Sequence, residues 1–563
     1  MKQQMKQHRE EIGKQAAHTT TAFNPIVGAQ FSELLRSAVY VAGQVAVNPR
    51  IVAGHVLGFL KDAAKITVGS SDLTPDPRDR RFTDVTWSKN PLYRRALQFW
   101  LATRAGIVEC LDDIEMDKTQ RIRALLLCDI VIDSLSPTNT LIGNPAALKQ
   151  LLETGGSSLW RGLTNAYEDF ISGNKLPSQV DSRSFEVGNN LAGSEGAVVF
   201  RNDFMEVIQY APLSDKVHEI PLLIVPPQIN KFYVLDLTPD KSMARYLVSQ
   251  GYRVFCISWF NPGPSQENWG LEDYVNAIID ATDIVRNITR QKKLNVMGAC
   301  SGGITLSTVL SHLAAIGDDR INCCTLQVCV LEPRSDDTDM GALVTETSIE
   351  FARSRSAKKG ILSGQDLATT FAWMRPNDLI WNYFVNNYLM GNSPPAFDIL
   401  HWNNDTTNLP ATLHSDFLDF YVNSPFANPG TQEFMGQALD LSQVKHDILI
   451  AAGLTDHITP WQACYRSVDL FGGDVTFVLS NSGHIQALIN PPGNPKSRYM
   501  TNKTYTNDAG EWLENATQHQ GSWWELWTEW LTERSGPLRN APRKLGNAKY
   551  PPLDKAPGLY VFG

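Results

Sequence analysis

Residues 294 to 303 decide the fold, and they read Leu294-Asn-Val-Met-Gly-Ala-Cys-Ser-Gly-Gly303. The apolar run that ends at Gly298 predicts a buried strand, and the small residues after Cys300 open a helix. A strand that turns sharply into a helix, with a nucleophile at the turn, is a nucleophile elbow, here with cysteine where serine is usual. The turn brings two backbone segments together, so small residues are needed two before and two after the nucleophile. Gly298 and Gly302 meet that requirement.

The elbow motif can also be aligned one residue further along the sequence. Shifted by one residue, Ala299-Cys-Ser-Gly-Gly303 would make Ser301 the nucleophile. The strand ends directly at Gly298, and the double glycine follows the residue after Cys300, which favours Cys300. A plain structural turn that holds a buried cysteine is a further alternative, since cysteine is among the most buried residue types.

Short apolar runs alternate with helical patterns on both sides of the elbow. Strands are predicted at 197–200, 204–210, 221–225, 252–258, 294–297, 448–452 and 475–479. Helices are predicted at 242–250, 271–288, 303–316 and 521–534. Strands that alternate with helices indicate a mostly parallel sheet with helices on both faces. Together with the elbow, this pattern predicts an α/β-hydrolase fold.

The chain divides into three predicted regions. Residues 1–20 read as a polar tail, 21–190 as a mainly helical N-terminal domain, and 191–563 as the catalytic α/β-hydrolase domain. Within the last region the alternation breaks between about 335 and 440, where aromatic residues are dense and clear strands are lacking. A stretch of that length exceeds an ordinary loop, so we expect a cap or lid insertion over the active site.

Composition excludes several classes of protein. The 563 residues carry a formal net charge of −9 and no long basic run, which argues against a nucleic-acid binder. The eight cysteines show no CxxC spacing, so neither a disulfide framework nor a metal site is expected. The sequence has no apolar run of 18 residues and its first residues do not form a secretory signal, so we expect a cytoplasmic protein without a transmembrane segment.

An elbow nucleophile needs an acid and a histidine later in the chain, in that order. Asp456 follows the predicted strand 448–452, and His484 follows the next one, 475–479. Both therefore fall on loops at the carboxyl edge of the sheet, and we expect a Cys300–His484–Asp456 triad. His457 is a rival base, although adjacent residues on one loop rarely point at the same atom.

The oxyanion hole is expected to combine two backbone N–H groups. One is that of Ser301, and the other lies in the loop after strand 221–225, which reads Pro226-Pro-Gln-Ile-Asn230. Proline has no N–H, so Gln228 or Ile229 is the expected donor. A cysteine nucleophile suits acyl transfer, since attack on a thioester yields another thioester and keeps the acyl group activated.

Several motifs together resemble the polyhydroxyalkanoate synthases, and the single-subunit class II (medium-chain-length) type most closely. They are Val296-Met-Gly-Ala-Cys-Ser-Gly-Gly-Ile304, Pro226-Pro-Gln-Ile-Asn-Lys-Phe232, Trp402-Asn-Asn-Asp-Thr-Thr407, Asp456-His-Ile-Thr-Pro-Trp461 and Ser482-Gly-His-Ile-Gln486. The resemblance runs from about residue 22 to the C-terminus.

The resemblance implies polymerisation of (R)-3-hydroxyacyl-CoA into a polyester with release of CoA, without a cofactor. Cys300 would hold the growing chain as a thioester, His484 would deprotonate the thiol, Asp456 would support the histidine and also activate the substrate 3-hydroxyl, and Trp402 would lie near the site. On that second role, an Asp456→Asn enzyme is expected to load one acyl group and then stall. The family also implies a homodimer on cytoplasmic polyester granules coated with phasins.

Two other functions remain open at this point. The same triad could serve an acyl-CoA thioesterase or a polyester depolymerase, which would release free acid instead of polymer. A non-catalytic granule scaffold is the other alternative, and an intact elbow, acid and histidine argue against it.

Overall fold

The computed structural model describes residues 31–77, 79–334, 337, 344–374 and 376–563. The polar tail predicted for residues 1–20 lies outside this part of the chain. Among the described residues, no helix combines the length and the apolar character that crossing a membrane requires.

The N-terminal region is helical, as predicted. Its helices are α1 (Phe31–Val47), α2 (Pro49–Val68), α3 (Thr86–Lys89), α4 (Pro91–Asp113), α5 (Lys118–Ser134), α6 (Pro145–Glu153) and α7 (Ser157–Ile171). Three of them, α2, α4 and α6, start at an Asn-Pro pair, and in α4 and α6 the asparagine side chain caps the helix. The Asn90 side chain accepts the N–H of Leu92 at 2.9 Å, and that of Asn144 accepts the N–H of Ala146 at 3.1 Å, with proline at the first helical position.

One large sheet forms the centre of the catalytic region. The strands of the structure are β1 (Gly196–Arg201), β2 (Met205–Tyr210), β3 (Lys216–His218), β4 (Leu222–Val225), β5 (Val254–Trp259), β6 (Leu294–Ala299), β7 (Ile321–Gln327), β8 (Ile361–Leu362), β9 (Leu409–Pro410), β10 (Glu433–Phe434), β11 (Gln437–Ala438), β12 (Asp447–Gly453), β13 (Val475–Ser480), β14 (Arg498–Thr501), β15 (Thr517–Gln520), β16 (Leu538–Asn540) and β17 (Asp554–Lys555). Within the described residues, eleven of them form the large sheet, in the order β15-β14-β13-β12-β7-β6-β4-β5-β2-β1-β17.

The middle of this sheet is parallel. β4 pairs in parallel with β5 and β6, β6 with β7, and β7 with β12, which pairs in turn with β13. The outer strands β1, β2, β14 and β15 are antiparallel. The carboxyl ends of β6, β12 and β13 meet at the same edge, which is where the sequence places the three candidate catalytic residues.

Helices cover both faces of the sheet, so the predicted α/β-hydrolase fold is confirmed. They are α8 (Met243–Ser249), α9 (Leu271–Thr289), α10 (Ser301–Ala315), α15 (Trp461–Arg466), α16 (His484–Leu488), α17 (Ala509–Glu514) and α18 (Trp523–Arg534). Trp523, Trp524 and Trp527 of α18 are fully buried, and the Trp527 indole donates to the Thr325 hydroxyl of β7 at 2.8 Å. The tryptophan stripe therefore packs the last helix on the sheet.

The expected insertion lies between β7 and β12, and we call it the cap. Its helices are α11 (Glu346–Lys359), α12 (Gly364–Met374), α13 (Asp398–Asn404) and α14 (Ala411–Asn423), with two π-helical segments at Asn377–Trp381 and Phe384–Leu389. The cap also contacts the N-terminal helices. The Asn165 amide of α7 donates to the Asn387 carbonyl at 2.9 Å, and the Arg81 guanidinium donates to the Asn377 side chain at 2.7 Å.

Candidate active site

Cys300 occupies the turn between β6 and α10. Its backbone has φ 50° and ψ −122°, a conformation that a residue with a side chain rarely adopts, and its N–H donates to the Gln327 carbonyl of β7 at 2.9 Å. Strained backbone of this kind persists where the surrounding structure enforces it, and it clusters at functional sites. The side chain is almost fully buried, with 5% of the residue exposed.

The glycines around the turn are required by close backbone approach. A Cβ on Gly298 would lie 2.8 Å from the Gly303 Cα, and a Cβ on Gly302 would lie 2.4 Å from the Pro226 carbonyl oxygen. Both distances are far below van der Waals contact. The sequence argument for small residues two before and two after Cys300 thus has a direct steric basis.

The structure brings Asp456 and His484 together. His484 Nδ1 and Asp456 Oδ2 are 2.7 Å apart, and both side chains are buried. The other carboxylate oxygen, Oδ1, accepts the backbone N–H groups of Ile458 at 2.9 Å and Thr459 at 3.0 Å. The loop after β12 therefore curls around its own aspartate and fixes the carboxylate toward the histidine.

Thr459 is a member of the site that sequence reasoning missed. Its hydroxyl donates to Asp456 Oδ2 at 2.7 Å and lies 3.1 Å from His484 Nδ1. A threonine three residues after an aspartate is typical of a turn that its side chain closes. This spacing is the sequence signal from which the contact with Asp456 could have been predicted. Thr459 holds both members of the acid–base pair.

The electrostatics of the pair follow from its burial and its partners. Burial by itself lowers the pKa of His484, but the Asp456 carboxylate and the Cys300 thiol raise that pKa to about 10. Burial alone would raise the pKa of Asp456. The charge and hydrogen bond of His484, together with the hydrogen bonds from Thr459, outweigh the effect of burial and lower that pKa. The pair thus keeps Asp456 as a carboxylate and makes His484 a stronger base than a free imidazole.

The nucleophile is within reach of this histidine. The Cys300 thiol forms a hydrogen bond with His484 and contributes to its raised pKa. With Nδ1 turned to Asp456, Nε2 is the ring nitrogen left for the thiol. Cys329 and Cys464 are also buried nearby, and burial raises the pKa of both thiols well above its ordinary value, which makes them inert.

His457 lies on the same loop and is half-buried. His484 forms an ion pair with Asp456, with Nδ1 and Oδ2 2.7 Å apart. The geometry favours His484 as the base over the rival that the sequence left open.

The loop after β4 sits against the elbow. The Gln228 backbone N–H donates to the Ser301 hydroxyl at 3.2 Å, and its side-chain amide donates to the Thr305 hydroxyl of α10 at 2.9 Å. Within the described residues, the N–H groups of Ser301 and Ile229 have no protein acceptor. Of the two candidates for the second oxyanion donor, Ile229 is therefore the one whose N–H is available.

Trp402 supports that loop from the cap. Its indole N–H donates to the Lys231 carbonyl at 2.7 Å, and the residue is 2% exposed. The Lys231 ammonium is 2.9 Å from Asp405 Oδ1, just after α13. Trp402 thus acts on the site by fixing the backbone that follows Ile229.

This arrangement is suited to acyl transfer through a covalent thioester. A buried thiol, a histidine oriented by a carboxylate and two N–H groups without a protein acceptor among the described residues could supply the nucleophile, the base and the oxyanion donors. Among the described residues, no group of three or more His, Cys, Asp or Glu side chains is placed to hold a metal ion.

Known proteins resemble this chain over nearly its whole length. Residues 78–247 match the family model described as the N-terminus of poly-beta-hydroxybutyrate polymerase (PhaC), and residues 221–491 match the alpha/beta hydrolase fold. The chain is 48% identical to poly(3-hydroxyalkanoate) polymerase 1 of Ectopseudomonas oleovorans, over 98% of this chain and 99% of that one. It is 47% identical to polymerase 2 of the same organism, over 96% of each chain. Identity to the PhaC polymerase subunit of Cupriavidus necator is 41%, over 88% of this chain and 84% of that one.

Proposed function

The chain belongs to the poly(3-hydroxyalkanoate) polymerases, and we propose that it joins (R)-3-hydroxyacyl groups from CoA thioesters into a polyester with release of CoA. The observation that carries this proposal is the buried Cys300 at the elbow, beside the Asp456–His484 pair. The chemistry is an acyltransferase reaction, and no cofactor is expected in it.

Loading begins when His484 takes the thiol proton of Cys300. The thiolate attacks the carbonyl carbon of the acyl-CoA, and the N–H groups of Ser301 and Ile229 stabilise the oxyanion. The carbon–sulfur bond to CoA then breaks, and CoA leaves with the proton from His484. The product is an acyl thioester on Cys300.

Elongation repeats the transfer with an alcohol as the nucleophile. His484 takes the proton of a 3-hydroxyl group, and the hydroxyl oxygen attacks the carbonyl carbon of the thioester on Cys300. The carbon–sulfur bond then breaks, an ester bond remains, and Cys300 leaves as a thiolate that takes the proton back from His484. Both Asp456 carboxylate oxygens already accept hydrogen bonds from Ile458, Thr459 and His484. This supports an orienting role for the aspartate over direct activation of the hydroxyl.

Burial supports a polymerase over a hydrolase. The 5% exposure of Cys300 keeps a bound thioester away from bulk water, and the cap contacts the loop after β4 through Trp402 and Thr407. A thioesterase or depolymerase would have to admit water to the same carbonyl. The high identity to the two Ectopseudomonas oleovorans polymerases further supports polymerisation of 3-hydroxyalkanoates. A class II enzyme with medium-chain-length substrates is what the sequence motifs lead us to expect. A homodimer, cytoplasmic polyester granules and phasin contacts are expected on family grounds.

The test is to incubate the pure protein with (R)-3-hydroxyacyl-CoA of several chain lengths and to follow CoA and polymer together. We expect CoA release matched by insoluble polyester. Stoichiometric free 3-hydroxy acid without polymer would instead establish the thioesterase.

A second experiment separates the two histidines. In single-turnover loading of Cys300, His484→Gln should lose far more rate than His457→Gln, since His484 Nδ1 lies 2.7 Å from Asp456 Oδ2. Equal losses, or a larger loss at His457, would make the neighbour of Asp456 the working base.

A further inference from the structure

Lys231 ends the loop after β4, two residues beyond the proposed oxyanion donor Ile229. Asn230 between them has φ 61°, a left-handed conformation that asparagine tolerates, so the chain turns sharply at this point. On the other side of Ile229, the loop is fixed at Gln228, whose carbonyl accepts the hydroxyl of Thr407 from the cap at 3.1 Å. The direction of the Ile229 N–H therefore depends on how the loop is held at Lys231.

Three contacts converge on Lys231, whose side chain is only 8% exposed. Its carbonyl accepts the Trp402 indole N–H at 2.7 Å. Its ammonium lies 2.9 Å from Asp405 Oδ1 and donates to the Val561 carbonyl at 2.7 Å. Hydrogen bonds from an ammonium group are about twice as strong as those between neutral groups. The side chain thus joins the loop both to the cap and to the C-terminal segment 559–563.

The C-terminal segment 559–563 is itself firmly held. The carboxylate of Glu206 in β2 is fully buried and accepts the backbone N–H groups of Leu559 at 3.0 Å and Tyr560 at 3.1 Å. The Tyr560 ring packs edge-on against Phe260, just after β5, with the ring centroids 5.1 Å apart. A carbonyl in a segment fixed to the sheet in this way can restrain the loop that binds it.

We propose that Lys231 is a positioning residue for the oxyanion donor: its ammonium ties the loop after β4 to the cap and to the C-terminal segment, and so fixes the direction of the Ile229 N–H. An oxyanion donor works only when it is aligned with the place where the oxyanion forms. The last residues of the chain would thereby act on acyl transfer through Lys231. The inference rests on the proposed function, because it takes acylation of Cys300 as the step that Lys231 assists.

The test compares two reactions of Cys300 in a Lys231→Met variant, which loses the ammonium and keeps most of the side-chain volume. In single-turnover loading from (R)-3-hydroxyacyl-CoA, we expect a loss of roughly 10- to 10²-fold, because loading passes through an oxyanion. Alkylation of Cys300 by iodoacetamide needs the thiolate but forms no oxyanion, so its rate should equal that of the wild type. Mass spectrometry of the peptide that contains Cys300 measures both products.

Lys241→Met is the matched control. Lys241, just before α8, forms the same kind of ion pair with Asp398 of α13 in the cap, at 2.5 Å. We expect wild-type rates of loading and alkylation in this variant. Loading at the wild-type rate in Lys231→Met, an equal loss of loading in the control, or a matching loss of alkylation in Lys231→Met would overturn the positioning role. A wild type that does not load Cys300 at all would instead end the proposed function.

A second variant tests the same contact with a smaller change. Asp405→Asn removes the negative charge beside the Lys231 ammonium and keeps the shape of the side chain, so it should slow loading by a smaller factor. Because the two side chains are in direct contact, the double variant should load no more slowly than Lys231→Met alone. Losses that multiply in the double variant would show that the two residues act independently and would overturn the proposal.

Discussion

Replacing Asp456 by asparagine tests how the acid works. In the wild type, Oδ1 accepts two backbone N–H groups, from Ile458 and Thr459, and Oδ2 faces His484 Nδ1. The amide oxygen of an asparagine must take the Oδ1 place, because the two N–H groups need an acceptor. Its NH₂ group then points at His484 Nδ1, makes that nitrogen an acceptor and leaves the proton on Nε2. A histidine in this tautomer cannot take the proton of Cys300.

The size of the effect follows from those two hydrogen bonds. Turning the amide over restores the productive tautomer but leaves two buried N–H groups unsatisfied, at about 1–3 kcal/mol each. The productive form is then disfavoured by about 2–6 kcal/mol, which corresponds to a loss of roughly 30-fold to 10⁴-fold in rate. Because every transfer uses the same histidine, loading and elongation should both slow.

Single-turnover loading is the assay. Enzyme in excess is mixed with (R)-3-hydroxyacyl-CoA, quenched, and analysed by mass spectrometry for the acyl thioester on Cys300. Elongation is followed separately as CoA release with excess substrate. Asp319→Asn serves as the control, since Asp319 is a surface residue with 85% of its side chain exposed. Loading at nearly the wild-type rate, followed by a stall, would refute the tautomer argument and restore the role in activating the hydroxyl.

Three further predictions concern the same site. Cys300→Ala should abolish CoA release without lowering the melting temperature much. Ser301→Ala should release CoA at a rate within about tenfold of the wild type, since it loses one hydrogen bond. The opposite ranking of the two variants would make Ser301 the nucleophile. Gly302→Ala, whose Cβ would lie 2.4 Å from the Pro226 oxygen, should displace the oxyanion loop and cut turnover roughly 10²-fold; wild-type turnover would contradict this. Because the pKa of His484 is raised on folding, its protonation contributes a stabilisation that is complete below about pH 6.5 and is lost as pH rises toward about 10. The unfolding free energy of the wild type minus that of His484→Gln should therefore shrink between pH 7 and 10. A constant difference would contradict this.

The central sheet could be predicted from sequence because its signals are local. The strands near 221–225, 294–297 and 448–452 are continuous apolar runs, as expected for parallel strands buried on both faces. The order of Cys300, Asp456 and His484 along the chain matched the topology, since each residue directly follows a strand. The glycines two before and two after Cys300 indicated that the turn leaves no room for larger side chains.

The loops around the site could not be predicted in the same way. Whether Gln228 or Ile229 offers its N–H depends on the Ser301 hydroxyl, which takes the Gln228 donor, and no periodicity encodes that choice. The second hydrogen bond of Thr459 likewise depends on where His484 arrives from another strand. The π-helical segments of the cap have a wider hydrogen-bond repeat than an α-helix, so they blur the 3.6-residue pattern on which sequence reasoning relies.

The close backbone contact between α7 and the cap limits how members of this family can be combined into chimaeras. A Cβ on Gly162 would lie 1.9 Å from the Tyr388 carbonyl oxygen, and a Cβ on Gly391 would lie 2.0 Å from that of Ser158. The two backbones therefore fit only when glycine stands on both sides. A chimaera that takes its N-terminal region from one parent and its cap from another must inherit residues 157–171 and 384–392 as one block. A crossover placed between them, at the junction after residue 190, would join surfaces that never evolved together.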